Sequence, residues 1–332
     1  MPLRALTTQV AVLAALLLAT PAWSDEQGLR TLHEQDRLVS SVGYRLAVAN
    51  GKFCGRGQPL LGFSIHDLAQ YPAAERGDAR SIFGFGDRPL VLAVAASSPA
   101  AAAGLREGDE LLAIDKEMIS AELPRKTSYA RTQALLERLE RAAADEHLLL
   151  EIRRREQRTT IEIVLDRGCP THFFVDPDDS LQSKADGVYV QINSGMIEFA
   201  GDEDQVAALL AHELAHNILK HRVRLNAAGI RRGLLGQVGR SARLIRQTED
   251  EADRLSVYLL DNAGYPAGAV VAFWTRYRSA HPPSLLASPT HADPADRIAL
   301  VRTEIEYMNA MKASGGVVRP RFMDEGALPR LR

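Results

Sequence analysis

The sequence predicts an α+β protein of two unequal parts, a β-rich module followed by a mainly helical domain with a short sheet. Three observations carry this. Residues 55 to about 168 run as short apolar segments punctuated by turn residues, whereas about 170–312 keep helical spacing almost throughout. Within that second part, an Ala/Leu/Val-rich helix, VAALLAHELAH (206–216), carries His212, Glu213 and His216 in its middle. Buried ionisable groups are costly unless paired, hydrogen-bonded or bound to a metal.

The length of 332 residues suits two domains, and 46% hydrophobic with 25% charged residues is an ordinary globular composition. A net charge of −2 offers no electrostatic case for nucleic acid.

Residues 1–24 read as a secretory signal peptide. Arg4 opens a positive region, Val10 to Ala19 is an unbroken apolar run, and Ala22 and Ser24 are the small residues of a cleavage site. The apolar run is too short to span a bilayer. The expected location is therefore the periplasm or the outside of the cell. In such an oxidising compartment the only two cysteines, Cys54 and Cys169, suggest a disulfide stapling the base of the segment between them. The plainer alternative is two free buried thiols.

Residues 25–54 read as an N-terminal segment packed on the second domain, helical to about residue 50. Leu29, Leu32, Val39, Val42 and Leu46 recur at helical spacings until Gly51 breaks them. In the module at 55–169, LLGFSI (60–65) and PLVLAVAA (89–96) read as strands. SPAAAAGL (98–105) reads as a short helix capped by Ser98 with Pro99 at its first position. A turn and strand follow at 106–115, an amphipathic helix at 127–143, and two strands joined by a polar turn at 147–167.

LLGFSI together with SPAAAAGLREGDELLAID resembles a PDZ domain, a small β-barrel-like fold. The resemblance implies that Leu61, Gly62 and Phe63 form a carboxylate-binding loop, with the 127–143 helix as the other wall of a groove for protein C-termini. The spacer between LLGFSI and PLVLAV is longer than that family's usual one. A rigid spacer that binds no chain terminus is the competing reading.

The second domain, 170–312, has one expected strand, GVYVQIN (187–193). Its central motif is HELAH. Residues four apart on a helix lie about 40° apart and one turn along, so His212 and His216 aim two imidazoles at one point, an arrangement suited to zinc. Glu213 lies beside that point, placed to take a proton from an activated water. Asp202 reads as the helix N-cap with Gln205 as its capping-box partner.

Catalytic zinc takes three protein ligands. In TEDEADRL (248–255), Glu249 and Asp253 share one helix face while Glu251 points about 200° away. Glu249 is the expected third ligand, and Asp253 the residue that holds a ligand imidazole through its N–H. Glu251 reads as the capping-box partner of Thr248. His221, turned about 140° from His216 on a continuous helix, reads as structural.

HELAH followed by EDEAD, together with VQINSGMIEFA and THADPADRI, resembles the gluzincin metallopeptidases of the HtpX and CAAX-prenyl-protease type. The resemblance implies one zinc ion per chain and an upper rim formed by GVYVQIN, where extended substrate pairs. It also implies that His291 and Arg297 face the metal and steady the charge of the tetrahedral intermediate. The chain departs from that pattern in having Ala292 where a proline usually follows the histidine.

These readings converge on an exported zinc endopeptidase for unfolded or misassembled envelope proteins, with the PDZ domain recruiting or regulating. The alternative is a latent metallopeptidase acting as a chaperone-like scaffold or PDZ adaptor, in which His281 could close the metal site. The segment 222–247 holds seven arginines and no acidic residue. It reads either as a solvated loop or as a weak contact for an anionic membrane surface. Residues 313–332, rich in Gly, Pro and Arg, read as a flexible tail.

Overall fold

The computed structural model describes residues 26–55, 57–230, 239–281 and 293–323. The expected signal peptide lies outside them. Helix α1 (Glu26–Ala49) ends in a 3-10 turn, Gly51–Cys54. The PDZ-like module follows as β1 (Gln58–Leu60), β2 (Phe63–His66), α2 (Arg76–Phe83), β3 (Leu90–Val94), α3 (Pro99–Ala102), β4 (Glu110–Ile114), β5 (Glu117–Met118), α4 (Ala130–Ala142), β6 (His147–Arg154), β7 (Gln157–Val164) and β8 (Asp166–Gly168). Ser98 caps α3 as its sequence indicates, its Oγ accepting from the Ala101 N–H at 3.2 Å.

Two details of the module differ from the sequence reading. LLGFSI is not one strand. Gly62 takes φ +69°, which separates β1 from β2, and an added Cβ would lie 2.5 Å from the Ser98 Cβ. The module is also no closed barrel: its sheet runs β2-β3-β4-β6-β7, with β5 on β4, and the end strands do not meet. The long spacer is used to build α2, whose Phe83 packs with Phe85, Tyr71 and Leu90 in a small cluster of its own.

Cys54 and Cys169 are joined in a disulfide across 115 residues of sequence. Beside it β1 pairs antiparallel with β8, so crosslink and ladder together close the module's base.

The second domain contains β9 (His172–Asp176), β10 (Ser183–Ala185), β11 (Tyr189–Asn193), α5 (Ser194–Ala200), α6 (Glu203–Ile218), α7 (His221–Ala227), α8 (Gly239–Asn262), α9 (Ala269–Ala280) and α10 (Pro294–Ala313). It is mainly helical, and the whole is α+β. The sequence showed only β11 of its three strands. Strands β9 and β10 are short and lack a clean inside–outside alternation, so periodicity does not mark them. β11 is the central strand, antiparallel to β10 and parallel to β9. Both of its edges are taken, so GVYVQIN is not a rim of this sheet; β10 and β9 are its edge strands.

Helix α6 is buried on almost every side because it packs against α8, α9, α1 and β10. This is why its sequence lacks a polar face. Residues 202–221 do not form one helix. Lys220 adopts the left-handed conformation, φ 52° and ψ 38°, and breaks the chain between α6 and α7. At the far end, Phe322 and Met323 of the expected tail pack against the main core.

Helix α1 serves both parts. Val39, Val42, Leu46 and Ala47 join the core around α6, and Gly43 lets the Phe173 ring approach to where a Cβ would be 2.4 Å away. The same helix meets the module's sheet through His33 Nε2 and the Leu92 carbonyl, 2.8 Å apart.

Burial raises the Asp36 carboxyl of α1 to about 7, although the Val175 N–H donates to it. A carboxyl whose folded pKa is raised binds its proton more tightly folded than unfolded. Folding stability from this group is therefore full below the unfolded value near 4 and is lost as pH rises toward 7. Denaturation midpoints measured between pH 4 and 8 are expected to fall more steeply with pH in the wild type than in Asp36→Asn.

Candidate metal centre

The HELAH segment lies inside α6, whose N-cap Asp202 accepts from the Gln205 N–H at 2.8 Å. The reciprocal Gln205 contact runs to the Asp202 carboxylate, at 2.6 Å, rather than to its backbone. One turn apart, His212 and His216 bring their Nε2 atoms to 3.1 Å. Helix α8 crosses α6 and places Glu249 between them: Oε2 is 3.5 Å from His212 Nε2, and Oε1 is 3.5 Å from His216 Nε2. A tetrahedral site with ligands at ~2.0–2.1 Å has ligand–ligand edges of about 3.3 Å. The three donor atoms therefore form one face of such a tetrahedron. Among the described residues they are the single group of this kind. Two imidazoles and a carboxylate are a donor set suited to zinc, with a fourth position left over.

Behind the ligands, Asp253 sits one turn after Glu249, its Oδ1 2.9 Å from His212 Nδ1. That contact fixes the proton of His212 on Nδ1 and leaves Nε2 free as a donor to metal. Asp253 is itself gripped by Arg297 from α10, with Nε to Oδ2 at 2.6 Å and Nη2 to Oδ1 at 2.5 Å. The guanidinium stacks on Trp274, 3.8 Å from the ring centroid, and is 4% exposed. Arg297 thus approaches His212 from the Nδ1 side. Its remaining Nη1 is 3.9 Å from Glu249 Oε2. His291 lies outside the described residues. His281 ends α9 stacked on Tyr277.

The charges are strongly coupled. Burial alone would lower His212, but the Asp253 and Glu249 carboxylates, which accept from its N–H groups, outweigh it and push the imidazole up to about 10. Burial holds His216 well below its ordinary value. Although burial works against it, Arg297 and His212 keep the Asp253 carboxyl low. Glu213 is raised by burial. Its Oε1 accepts from Ser183 Oγ at 2.7 Å, which ties the helix to the edge strand β10.

Sequence reasoning missed two neighbours. His221 does not point away from His216, because the break at Lys220 turns it back: the two Nδ1 atoms are 2.8 Å apart. Glu251 caps nothing, since Thr248 lies well inside α8 and bonds the Ile245 carbonyl. Instead Glu251 meets His221 and Arg224. Their signals, a histidine five residues past the motif and a glutamate two past the ligand, were visible but misassigned.

In the PDZ-like module, Gly62 and Phe63 are buried and Leu61 is half-buried. β2 is an edge strand with α4 near it; α1 packs on the neighbouring β3 and reaches β2 where Ser40 Oγ and Ser64 Oγ are 3.3 Å apart. Of the arginine-rich segment 222–247, residues 231–238 lie outside the described residues, and those on either side belong mostly to α7 and α8.

Residues 90–154 match the family model of the PDZ domain, and residues 183–235 match that of peptidase family M48. Fold and comparison together support a domain of the peptidase family M48 type joined to a PDZ domain. The chain is 30% identical over 168 residues to a Vibrio cholerae protein provisionally named a beta-barrel assembly-enhancing protease, covering 40% of this chain and 34% of that one. To the beta-barrel assembly-enhancing protease of Escherichia coli O157:H7 it is 28% identical over 177 residues, 43% of this chain and 36% of the relative. The matches span about a third of the length of these relatives.

Removing the carboxylate of Asp253 leaves a buried guanidinium without its partner. Asp253→Ala is expected to cost roughly 3–5 kcal/mol in chemical denaturation, where an ordinary surface substitution costs almost nothing.

Proposed function

We propose that the chain is an exported zinc-dependent endopeptidase acting on unfolded or misassembled envelope proteins, with its PDZ domain recruiting or regulating. The observation that carries this is the triangle of His212 Nε2, His216 Nε2 and Glu249, with edges of 3.1, 3.5 and 3.5 Å, and Glu213 next to it. The names of the relatives support envelope proteins as the substrate class. Export rests on the reading of residues 1–24. No described helix is long and apolar enough to cross a membrane.

When bound, zinc supplies the Lewis acidity that activates water and polarises a scissile carbonyl. The chain's own groups do the rest. Glu213 takes the proton from the attacking water and passes it to the leaving amine. Its raised affinity for a proton, a result of burial, suits a group that must hold one between those two transfers. Ser183 keeps the carboxylate turned toward the site. Asp253 and Arg297 hold His212 and Glu249 in place rather than touching substrate, and His291 keeps the oxyanion role that the family resemblance gives it. An extended substrate adds along the outer edge of β10, a three-residue strand whose first residue, Ser183, is the partner of Glu213. Peptide-bond cleavage by this route forms no covalent intermediate with the protein.

The PDZ groove lies between β2 and α4 and is proposed to take protein C-termini. Binding of C-terminal peptides that disappears on substituting Gly62 or Phe63 supports recruitment, and no binding by the wild type removes it.

The test of the enzyme is casein-type cleavage by the purified chain. Glu213→Gln should lose on the order of 10²–10⁴-fold of the activity while still carrying about one zinc per chain. Full zinc occupancy without cleavage of any unfolded substrate contradicts the reading and favours a scaffold.

A further inference from the structure

The two imidazoles of α6 present Nε2 to the metal position, so each must carry its own proton on Nδ1. For His212 the acceptor of that proton is a carboxylate, Asp253. For His216 it is a second imidazole. His216 Nδ1 lies 2.8 Å from His221 Nδ1, and His221 Nε2 lies 3.2 Å from Glu251 Oε2. Glu251 is filled by other donors as well, Arg224 Nη1 at 2.8 Å and Gln247 Nε2 at 2.7 Å. His221 is 1% exposed, so water has no room to replace either contact.

This chain of contacts admits one arrangement of protons for a metal-binding His216. Its Nδ1–H donates to a bare Nδ1 on His221. His221 then keeps its single proton on Nε2 and donates it to Glu251. The opposite tautomer of His221 would set two N–H groups against each other at 2.8 Å and leave Glu251 facing a lone pair.

Backbone geometry points the same way. His221 reaches this position only because Lys220, a residue with a side chain, sits in the left-handed region at φ 52°. That break sets one ring nitrogen of His221 against His216 and the other against Glu251.

We propose that His221 and Glu251 are positioning residues that lock the tautomer and ring orientation of His216, so that the metal's two imidazole ligands are held by two different devices, one direct carboxylate and one histidine–glutamate relay. This rests on the zinc-peptidase reading above. It adds α7 to the helices α6, α8 and α10 that shape the metal centre, and it makes the α6–α7 break part of the site.

Zinc affinity of the full-length chain, measured by competition with a chromophoric chelator, reads the relay without using catalysis. His221→Leu is expected to weaken zinc binding by about 10–100-fold, whereas His221→Asn, whose Oδ1 can accept where Nδ1 did, stays within about threefold of the wild type. Wild-type affinity in His221→Leu overturns the proposal, as does a loss in His221→Asn equal to that in His221→Leu. A wild-type chain that takes up no zinc overturns the peptidase reading beneath it instead. Thermal unfolding of the metal-free variants reports folding separately. Should His221→Leu fail to fold, spectra of the zinc-loaded, ¹⁵N-histidine-labelled wild type decide. They are expected to show the His221 proton on Nε2, and a proton on its Nδ1 overturns the relay.

Discussion

The structure turns on the crossing of α6 and α8, where three imidazoles meet three carboxylates and two guanidinium groups inside an apolar core. No element of this cluster is stable alone. An imidazole pair at 3.1 Å without a shared partner is unfavourable, and a buried carboxylate without a donor is worse. Each group is tolerable because α8 supplies Glu249, Glu251 and Asp253, α7 supplies His221 and Arg224, and α10 supplies Arg297. The helices are thereby fixed in register by polar contacts, while Leu, Val and Ala around them provide the packing.

On the proposed reading, that arrangement separates two jobs usually merged in a description of a metal centre. Orientation would be set from behind, at the Nδ1 atoms, by Asp253 and by His221 with Glu251. Chemistry would be presented in front, at the Nε2 atoms, by Glu249 and by Glu213, which is tethered to β10. The short strand β10 therefore couples the edge available to an extended peptide to the group that would move the proton. The PDZ module stands apart from this machinery and meets it through α1, which lends one stretch to the core around α6 and another to the module's sheet.

Much of this was legible in the sequence for a clear reason: the informative distances are local. Two histidines four apart on a helix, and Glu249 four before Asp253 on another, follow from helix geometry and need no tertiary knowledge. The cysteine pair, the Ser98 cap and the α1 periodicity are likewise local or compartmental signals. What escaped was whatever depends on a break. The helical-wheel argument sent His221 away from His216 because it assumed an unbroken helix, and Lys220 carries no glycine-like mark of the turn it makes. Glu251 was misread since Thr248 resembles a cap yet lies in the middle of a helix that starts at Gly239. β9 escaped because its burial does not alternate, and β10 because three residues are too few for alternation to show. Gly62 splits what looked like one strand, its positive φ invisible in the apolar pattern.

The most direct measurement is X-ray absorption at the zinc edge on the purified chain, with metal content determined on the same sample. The account predicts about one zinc per chain in a four-coordinate shell of nitrogen and oxygen at ~2.0–2.1 Å, with the outer-shell scattering of two imidazoles. A chain that holds no stoichiometric metal, or a shell without two imidazoles, contradicts it.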